Sequence, residues 1–343
     1  MAASATSGRG APYVSGMKAV VYSEYGGPEV LQVADVATPA PKPNEILIRV
    51  HAAAINPVDW HFVRGTPLPI RLTVGGLKRP APARRVGADY AGTIEAVGSS
   101  VTAFRAGQPV FGMAEGSLAE YITLPADGVV AMKPDRVSFE QAAGVALAGL
   151  TALQVLRDKA MVRPGNKVLI VGAAGGIGTF AVQLAKAFGA EVTGVQSTTA
   201  LDLVRSLGAD RVIDYTTNDF TQGSDRYDVV FDNVCNRQLA DVLRVLRPGG
   251  TLIPNGGGSP QKGVSMSGVM LMLARRPFIS QKIRLFVTRP NRADLQVLAD
   301  LMQAGTVTPA VDRCYPLTAV ADAFRHLESG HAHGKIVVTL PGA

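Results

Sequence analysis

The hydrophobic pattern divides the chain into a β-rich first third, an alternating middle and a mixed tail. Short alternating runs bounded by Gly and Pro predict strands over 18–22, 46–52, 92–97 and 120–124. A run of small apolar residues over 140–160 predicts a helix, and strands over 167–171, 191–195, 211–213, 228–231 and 251–254 then alternate with helices. In the tail the pattern predicts strands over 283–287 and 335–340 and helices over 292–303 and 317–328. The middle is typical of a doubly wound parallel sheet.

One segment, residues 167–190, contains a strand, a glycine-rich turn and an amphipathic helix in direct succession. The strand is a continuous apolar run, as burial on both faces of a parallel sheet requires. In the helix, apolar side chains recur at helical spacing, at Ile177, Ala181, Leu184, Ala185 and Phe188. The spacing places the glycine turn at the amino end of a helix that packs on its own strand.

The turn reads A-x-G-x-x-G, with Ala173, Gly175 and Gly178 at the fixed positions and Gly172 one place earlier. Glycines here let a pyrophosphate approach the backbone N–H groups of a helix N-terminus. The alternative is a tight turn with no ligand, but the β-α-β sequel favours dinucleotide binding. The predicted contacts are Gly172, Ala173, Ala174, Gly175, Gly176, Ile177 and Gly178.

The residues after the second strand of this unit bear on which dinucleotide binds. A site for NAD places Asp or Glu there to hold the ribose 2′-OH. Here the region contains Gln196, Ser197, Thr198 and Thr199, and no carboxylate that would repel a 2′-phosphate. Ser197 and Thr198 are predicted to donate to the phosphate, and Tyr215 to close the pocket. NADP(H) is favoured over NAD(H).

Composition restricts the class of protein. A length of 343 residues, 47% of them hydrophobic and 18% charged, suits two packed domains. The net charge of +7 is spread along the chain, so we expect no specific nucleic-acid binding. No apolar run reaches the roughly 18 residues of a membrane span, and the small polar residues of 1–16 predict disorder. Two cysteines form no disulfide framework, which favours the cytoplasm.

Several motifs together resemble the zinc-independent, quinone-oxidoreductase-like branch of the medium-chain dehydrogenase/reductase superfamily. They are VYSEYGGPEVLQV, INPVDWHFVRG, VGADYAGTIEAVGSSVTAFRAGQPVFG, AGLTALQVL, VGAAGGIGTFAVQLAKAFGAEVTG, LVRSLGADRVIDY and GHAHGKIVV. The resemblance implies an α/β protein: a GroES-like β-rich catalytic domain over 17–140 and 283–343, and a Rossmann domain over 141–282. It further implies NADPH-dependent reduction of quinones or α,β-unsaturated carbonyl compounds by a homodimer.

The resemblance also implies site residues. Asn56 and Asp59 are expected near the nicotinamide and Thr151 in contact with it. Its other neighbours are expected to be Asn233, Asn255, Gly256, Gly257, Gly334 and Lys335. Asn56 has an alternative as a turn or helix cap, and Thr151 as a helix-interior hydroxyl bonded to its own backbone. His61 and Tyr90 are the candidates to donate a proton, unless both are packing residues and solvent donates. Asp89 is interpreted as a satisfied buried carboxylate.

No zinc site is expected. Zinc alcohol dehydrogenases of this superfamily need a Cys ligand and a His within a GHE-like segment, whereas this chain has Gly87-Ala88-Asp89 and no cysteine before Cys235. His331 and His333 have ligand-like spacing without partners. Hydride addition to an activated C=C bond or a quinone needs no Lewis acid, because the acceptor delocalises the developing charge.

Two questions remain open from the sequence alone. Segment 264–286 is apolar and rich in methionine, which predicts either a core helix followed by a strand or a substrate lid or subunit interface. For function, the alternatives to a quinone or enone reductase are a zinc-free alcohol or carbonyl oxidoreductase and a non-catalytic NADPH-binding or RNA-binding protein of the same fold.

Overall fold

The computed structural model describes residues 16–256 and 280–341. Three predictions fall wholly or mostly outside these ranges: disorder over 1–16, the helix or lid within 264–286, and a role for Gly257.

Three sheets account for the strands of the described chain. Their bounds are β1 Met17–Tyr22, β2 Gln32–Val36, β3 Glu45–Ile55, β4 Arg84–Arg85, β5 Asp89–Val97, β6 Pro109–Met113, β7 Tyr121–Pro125, β8 Val130–Met132, β9 Lys167–Val171, β10 Glu191–Gln196, β11 Arg211–Asp214, β12 Tyr227–Asp232, β13 Leu246–Pro254, β14 Lys282–Ile283, β15 Val311–Pro316 and β16 Lys335–Thr339. The order is β2-β1-β4 in the first sheet, β11-β10-β9-β12-β13-β14 in the second and β15-β16-β3-β5-β6-β8 in the third, where β7 also pairs with β3.

The helices cover the sheets and join them. They are α1 Pro57–Arg64, α2 Arg71–Val74, α3 Phe139–Ala143, α4 Ala146–Gln154, α5 Gly176–Ala187, α6 Leu201–Ser206, α7 Leu239–Arg244, α8 Arg292–Gln303 and α9 Val320–Ser329. The helix predicted over 140–160 is divided. Gly144 ends α3, and the last turn after α4, Val155–Lys159, is a π-helix.

The second sheet confirms the predicted Rossmann domain. All of its strand pairs are parallel, and the order of its strands along the chain is 3-2-1-4-5-6. In such a sheet the ligand crevice lies at the carboxyl ends of the strands, where the order reverses between β9 and β12. The glycine turn that follows β9 opens at this point.

The third sheet combines strands from both ends of the chain. β16 pairs antiparallel with β3, Ile336 opposite Ile55 and Thr339 opposite Ala52, and β15 runs parallel to β16. The pairing brings the GHAHGK segment, near the end of the chain, beside the Asn56 turn. A continuous apolar core, which includes Phe111 of this sheet, Leu150 of α4 and Phe180 of α5, holds the two sheets together.

Short or irregular strands are where the predicted elements differ from the structure. β2, β4, β6, β8 and β15 were not predicted, and four of the five are no longer than five residues. The strand predicted over 283–287 is limited to Lys282–Ile283, because only those two residues pair with β13. The helix predicted over 317–328 begins with a 3-10 turn, Leu317–Ala319, before α9.

Candidate active site

The glycine turn has the geometry that an anionic ligand needs. α5 begins at Gly176, after Gly175. The first N–H groups of a helix have no intrahelical partner, and no side chain caps them here, so they are available to a ligand. Gly172 has φ +75°, a conformation that favours glycine. A Cβ on Gly175 would meet only Gly172 O, at 3.3 Å, whereas one on Gly178 would lie 2.1 Å from the same atom. Gly175 therefore leaves space open, and Gly178 allows the close packing of the helix.

The other predicted cofactor residues lie at the carboxyl ends of neighbouring strands. Ser197 and Thr198 follow β10, Tyr215 follows β11, Asn233 follows β12, and Asn255 and Gly256 follow β13. Asn233 Nδ2 donates to Val171 O at 3.2 Å, and Asn255 Nδ2 donates to Asn233 Oδ1 at 3.0 Å. The fold thus collects these residues along one edge of the sheet around the turn.

A buried polar cluster lies beside the turn, and Asn56 is at its centre. Asn56 precedes α1 and is 2% exposed. Its amide Nδ2 donates to Asp89 Oδ2 at 3.0 Å, and its Oδ1 accepts a hydrogen bond from Lys335 Nζ. Asp89 also accepts from the backbone N–H of Leu147 at 3.1 Å. These contacts fix both the position and the amide orientation of Asn56.

Lys335 connects this cluster to the glycine turn. The side chain is 4% exposed, and Nζ also donates to Ile55 O at 3.3 Å and lies 4.0 Å from Asp89 Oδ2. Its Cδ is 3.1 Å from the position of a Cβ on Gly176, and the preceding Gly334 forms a β-bridge with Gly175. Gly334 has φ +118°, and a Cβ there would lie 2.5 Å from Ala310 O. Lys335 therefore acts on the site through Asn56 rather than as an exposed cation.

Asp59 completes the cluster on α1. Its Oδ2 accepts from the backbone N–H of Asn56 at 2.7 Å, and the side chain is 2% exposed. Burial, opposed chiefly by the Asn56 hydrogen bond, raises the pKa of Asp59 to about 7. Burial also raises the pKa of Asp89 and lowers that of Lys335, although the two opposite charges partly offset each shift.

Thr151, His61 and Tyr90 lie outside this cluster. Thr151 Oγ1 donates to Leu147 O, four residues earlier, and pairs with Thr288 Oγ1 at 2.6 Å, so its hydroxyl is engaged within the protein. The ring of His61 stacks on Trp60, and Nδ1 lies 2.6 Å from Thr66 O. Tyr90 is fully buried among apolar side chains, and burial raises its pKa. Asp89 and Tyr90 are consecutive on β5 and therefore point to opposite faces of the sheet.

Three residues join the site that the sequence analysis did not assign to it. Asp89, interpreted as a satisfied carboxylate, holds the Asn56 amide; its place beside the NPVD segment appears only when β3 and β5 pair, with Ala54 opposite Asp89. Gln196 Oε1 accepts from Ala174 N–H at 3.3 Å. Asp214, at the end of β11, accepts a hydrogen bond from the Thr198 hydroxyl. A carboxylate therefore does stand close to the predicted 2′-phosphate region, contrary to expectation, because parallel strands end side by side.

A cavity of about 350 Å³ borders the cluster. Asp59 and Ala88 line it on the side of the cluster, and Tyr22, Phe62 and Met113 supply apolar walls. Arg84 and Arg85 line it as well. The volume is that of a small organic ligand.

Residues 16–256 and 280–341 contain no group of three or more His, Cys, Asp or Glu side chains that could hold a metal ion. Over the same residues, no helix is long and apolar enough to cross a membrane.

A Rossmann sheet joined to a GroES-like sheet, with the dinucleotide turn beside a polar cluster, defines the medium-chain dehydrogenase/reductase class. Two family models match the chain: the alcohol dehydrogenase GroES-like domain over 42–135 and the zinc-binding dehydrogenase model over 207–338. The NADPH-dependent alkenal/one oxidoreductase of Arabidopsis thaliana is 37% identical, over 94% of this chain and 79% of its own.

Solved structures agree with these matches. A quinone oxidoreductase from Coxiella burnetii superposes with a TM-score of 0.82 at 30% identity, over 94% of this chain and 99% of its own. The quinone oxidoreductase of Escherichia coli in complex with NADPH gives 0.80 at 27%, with the same coverage of both chains. This chain belongs to the quinone-oxidoreductase-like branch of the medium-chain dehydrogenase/reductase superfamily.

Proposed function

We propose that this protein is an NADPH-dependent oxidoreductase that reduces α,β-unsaturated carbonyl compounds or quinones without a metal ion. The observation that carries the proposal is the junction of the dinucleotide turn with the polar cluster through the Gly175–Gly334 bridge and Lys335. The Arabidopsis relative is named an NADPH-dependent alkenal/one oxidoreductase, and the E. coli structure contains NADPH. Both names support NADPH as the cofactor, and they name an alkenal or alkenone and a quinone, respectively, as the electron acceptor.

NADPH supplies the hydride when it is bound. The N-terminus of α5 and the space above Gly175 suit its pyrophosphate, because an uncapped helix end offers N–H donors and partial positive charge. Ser197, Thr198 and Tyr215 lie at the strand ends where the adenosine half is expected, and Asn233 and Asn255 line the crevice between the strands. Asn56 and Lys335 lie beside the turn, where the nicotinamide half is expected.

The reduction itself adds one hydride and one proton to an enone. Hydride adds to the β-carbon, the C=C electrons move to the carbonyl oxygen as an enolate, and a proton then adds to the α-carbon. Asp59 faces the cavity and has a pKa raised to about 7, so a large fraction of this carboxyl group is protonated near neutral pH. We assign Asp59 the role of proton source, with His61 and Tyr90 as less suitable candidates because His61 stacks on Trp60 and Tyr90 is enclosed by apolar residues.

The test follows deuterium from the cofactor to the product. Purified protein is mixed with NADPH deuterated at C4 and an enone, and the product is examined by NMR. The proposal expects deuterium at the β-carbon and a solvent-derived hydrogen at the α-carbon. Turnover of simple alcohols or ketones alone would support the carbonyl-oxidoreductase alternative. NADPH binding without oxidation by any enone, enal or quinone would support a non-catalytic role, and a salt-dependent gel shift would reveal RNA binding.

Further parts of the proposal concern organisation. We propose a catalytic domain over 17–140 and 283–343 and a cofactor domain over 141–282; the sheet memberships of β1–β8, β15 and β16 against β9–β13 support this division. β14 pairs with β13 across the 282/283 boundary. We also propose a homodimer in the cytoplasm, in keeping with two free cysteines and with the resemblance described above. Light scattering of the purified protein tests the dimer, and microscopy of the tagged protein tests the location.

A further inference from the structure

Two consecutive arginines stand at the wall of the cavity that borders Asp59. Arg84 and Arg85 form β4 and pair with Tyr22 and Val21 of β1, which fixes their backbones against the first sheet. Both side chains line the 350 Å³ cavity, and both also line an adjoining cavity of about 530 Å³. The arginines therefore stand where the two cavities meet.

The two guanidinium groups differ in their partners. Arg84 Nη2 forms an ion pair with Glu115 Oε1 at 2.5 Å. The Arg85 side chain forms no hydrogen bond or ion pair with any residue of 16–256 or 280–341, and Arg85 is only partly exposed. Glu115 is the one carboxylate besides Asp59 among the residues that line the first cavity. One positive charge at this wall thus lacks a counter-charge within the described chain.

The stem of Arg85 is held in place. A Cβ on Gly116 would lie 2.8 Å from Arg85 Cβ and 3.0 Å from its Nε, so the side chain rests against the Gly116 backbone. Gly116 has φ +75°, which favours glycine and keeps this surface open to the arginine. A partly desolvated guanidinium with five donors and no acceptor is a site for an oxyanion, which it can bind through two parallel hydrogen bonds.

We propose that Arg85 binds the carboxylate of the acceptor, so that the preferred substrates are α,β-unsaturated ketones or quinones that carry an acidic side chain. The reactive carbonyl end lies toward Asp59 and the nicotinamide, the apolar chain against Phe62 and Met113, and the carboxylate at Arg85. Roughly 12 water-sized groups of about 30 Å³ fit in the first cavity, which suits such a molecule. The inference rests on the proposed function and specifies its substrate class.

The test compares a short-chain enone acid with its own methyl ester. Because the ester lacks the charge that strengthens hydrogen bonds to the guanidinium, kcat/KM for the acid is expected to exceed that for the ester by about ten-fold or more. In Arg85→Met, which keeps the stem packed on Gly116, the ratio should fall to about one through a higher KM for the acid. Arg85→Lys should retain part of the preference, because it keeps the charge without the planar fork.

Arg325→Met is the matched control. Arg325 lies on α9, lines neither cavity, and its side chain is 57% exposed. It should leave both substrates unaffected. An ester reduced as well as the acid in wild type, with no effect of Arg85→Met, would overturn the inference and leave the proposed function intact. If neither compound nor any neutral enone or quinone is reduced, the proposed function itself fails. NADPH affinity is measured separately, so that a change in cofactor binding is recognised.

Discussion

At the scale of single residues, the charge balance of the buried cluster decides how the site behaves. Asp59, Asp89 and Lys335 are each at most 4% exposed. Two carboxylates and one ammonium would leave a net negative charge in the interior, which is costly to bury. Burial raises the pKa of both carboxylates, that of Asp59 to about 7, which favours uptake of a proton and reduces the buried net charge. Asp89 remains the partner of Lys335 and Asn56.

Asp59 is expected to make stability depend on pH. A folded-state pKa of about 7 lies above the ordinary 3.8, so the folded state binds more protons between these values than the unfolded state does. This contribution is fully present below pH 3.8 and is lost as pH rises through about 7. In thermal unfolding without cofactor, Asp59→Asn should therefore flatten the decline of Tm over this range. Asp202→Asn, whose side chain is 100% exposed, is the control and should leave the slope unchanged; identical slopes for all three proteins would contradict the assignment.

Lys335 is expected to be needed both for stability and for the orientation of Asn56. Lys335→Met leaves Asp89 buried without its counter-charge, which should cost about 3–5 kcal/mol of unfolding free energy. Adding Asp89→Asn should restore much of that loss, because the uncompensated charge is then gone. Denaturant unfolding of the two single variants and the double variant measures the coupling. The double variant should regain stability but not turnover, since Asn56 lacks both of its fixed partners. Additive losses would show that the pair does not interact.

At the scale of elements, two glycines of the turn between β9 and α5 are expected to have different roles, one in NADPH binding and one in folding. In Gly175→Val the branched side chain enters the space above the helix N-terminus, so NADPH affinity should fall by about 1.5–3 kcal/mol, the size of charged hydrogen bonds. Stability without cofactor should fall less than in Gly178→Ala, because the nearest contact of the added Cβ, Gly172 O at 3.3 Å, requires only a small shift. In Gly178→Ala the Cβ lies 2.1 Å from Gly172 O, so unfolding free energy should fall even without cofactor. Titration and thermal scans of both variants measure the two effects.

Comparing the two variants also shows which result would contradict the prediction for Gly175→Val. If Gly175→Val lowers the apo Tm as much as Gly178→Ala does, the glycine at 175 serves the turn and not the ligand.

The ends of β10 and β11 are expected to set the choice between NADPH and NADH. Ser197→Asp places a carboxylate in the position that favours a ribose 2′-OH, so it should erase or reverse the preference for NADPH. Asp214 already lies nearby, with its oxygens accepting from Thr198 and Thr216. Removing its charge in Asp214→Asn should raise the ratio of NADPH to NADH affinity. The dissociation constants of NADPH and NADH for each variant measure this preference. Equal constants for the two cofactors in the wild type would contradict the predicted preference for NADPH.

At the scale of the whole molecule, the expected chemistry needs no metal. Cysteine occurs only at positions 235 and 314, both free, and the described residues provide no ligand group. Enone or quinone reduction should therefore survive dialysis against a strong chelator. Elemental analysis accompanies the assay, and one zinc per chain together with loss of activity would contradict this prediction. The added check is that zinc returned to the dialysed protein has no effect.

Much of the fold was predictable because local patterns coincide with tertiary burial. The parallel strands β9, β10, β12 and the helix α8 were found from apolar runs and helical spacing, which survive in a single sequence. β2 and β15 were not, because none of their residues is buried, so burial leaves no clear apolar pattern in them. Asp89 escaped assignment because its contacts with Asn56 and Lys335 span 33 residues and more.

The sequence by itself determined the Rossmann half, the glycine turn and the set of strand ends where a cofactor would lie, because these depend on spacing within a few residues. Only the tertiary structure decided that Lys335 and Asp89 hold Asn56, that burial raises the pKa of Asp59, and that Tyr90 faces an apolar core. Those properties follow from burial and from pairing between β3, β5 and β16, which brings residues 56, 89 and 335 together. The protonation of a buried group depends on the charges and hydrogen-bond partners around it, and the fold determines which groups those are.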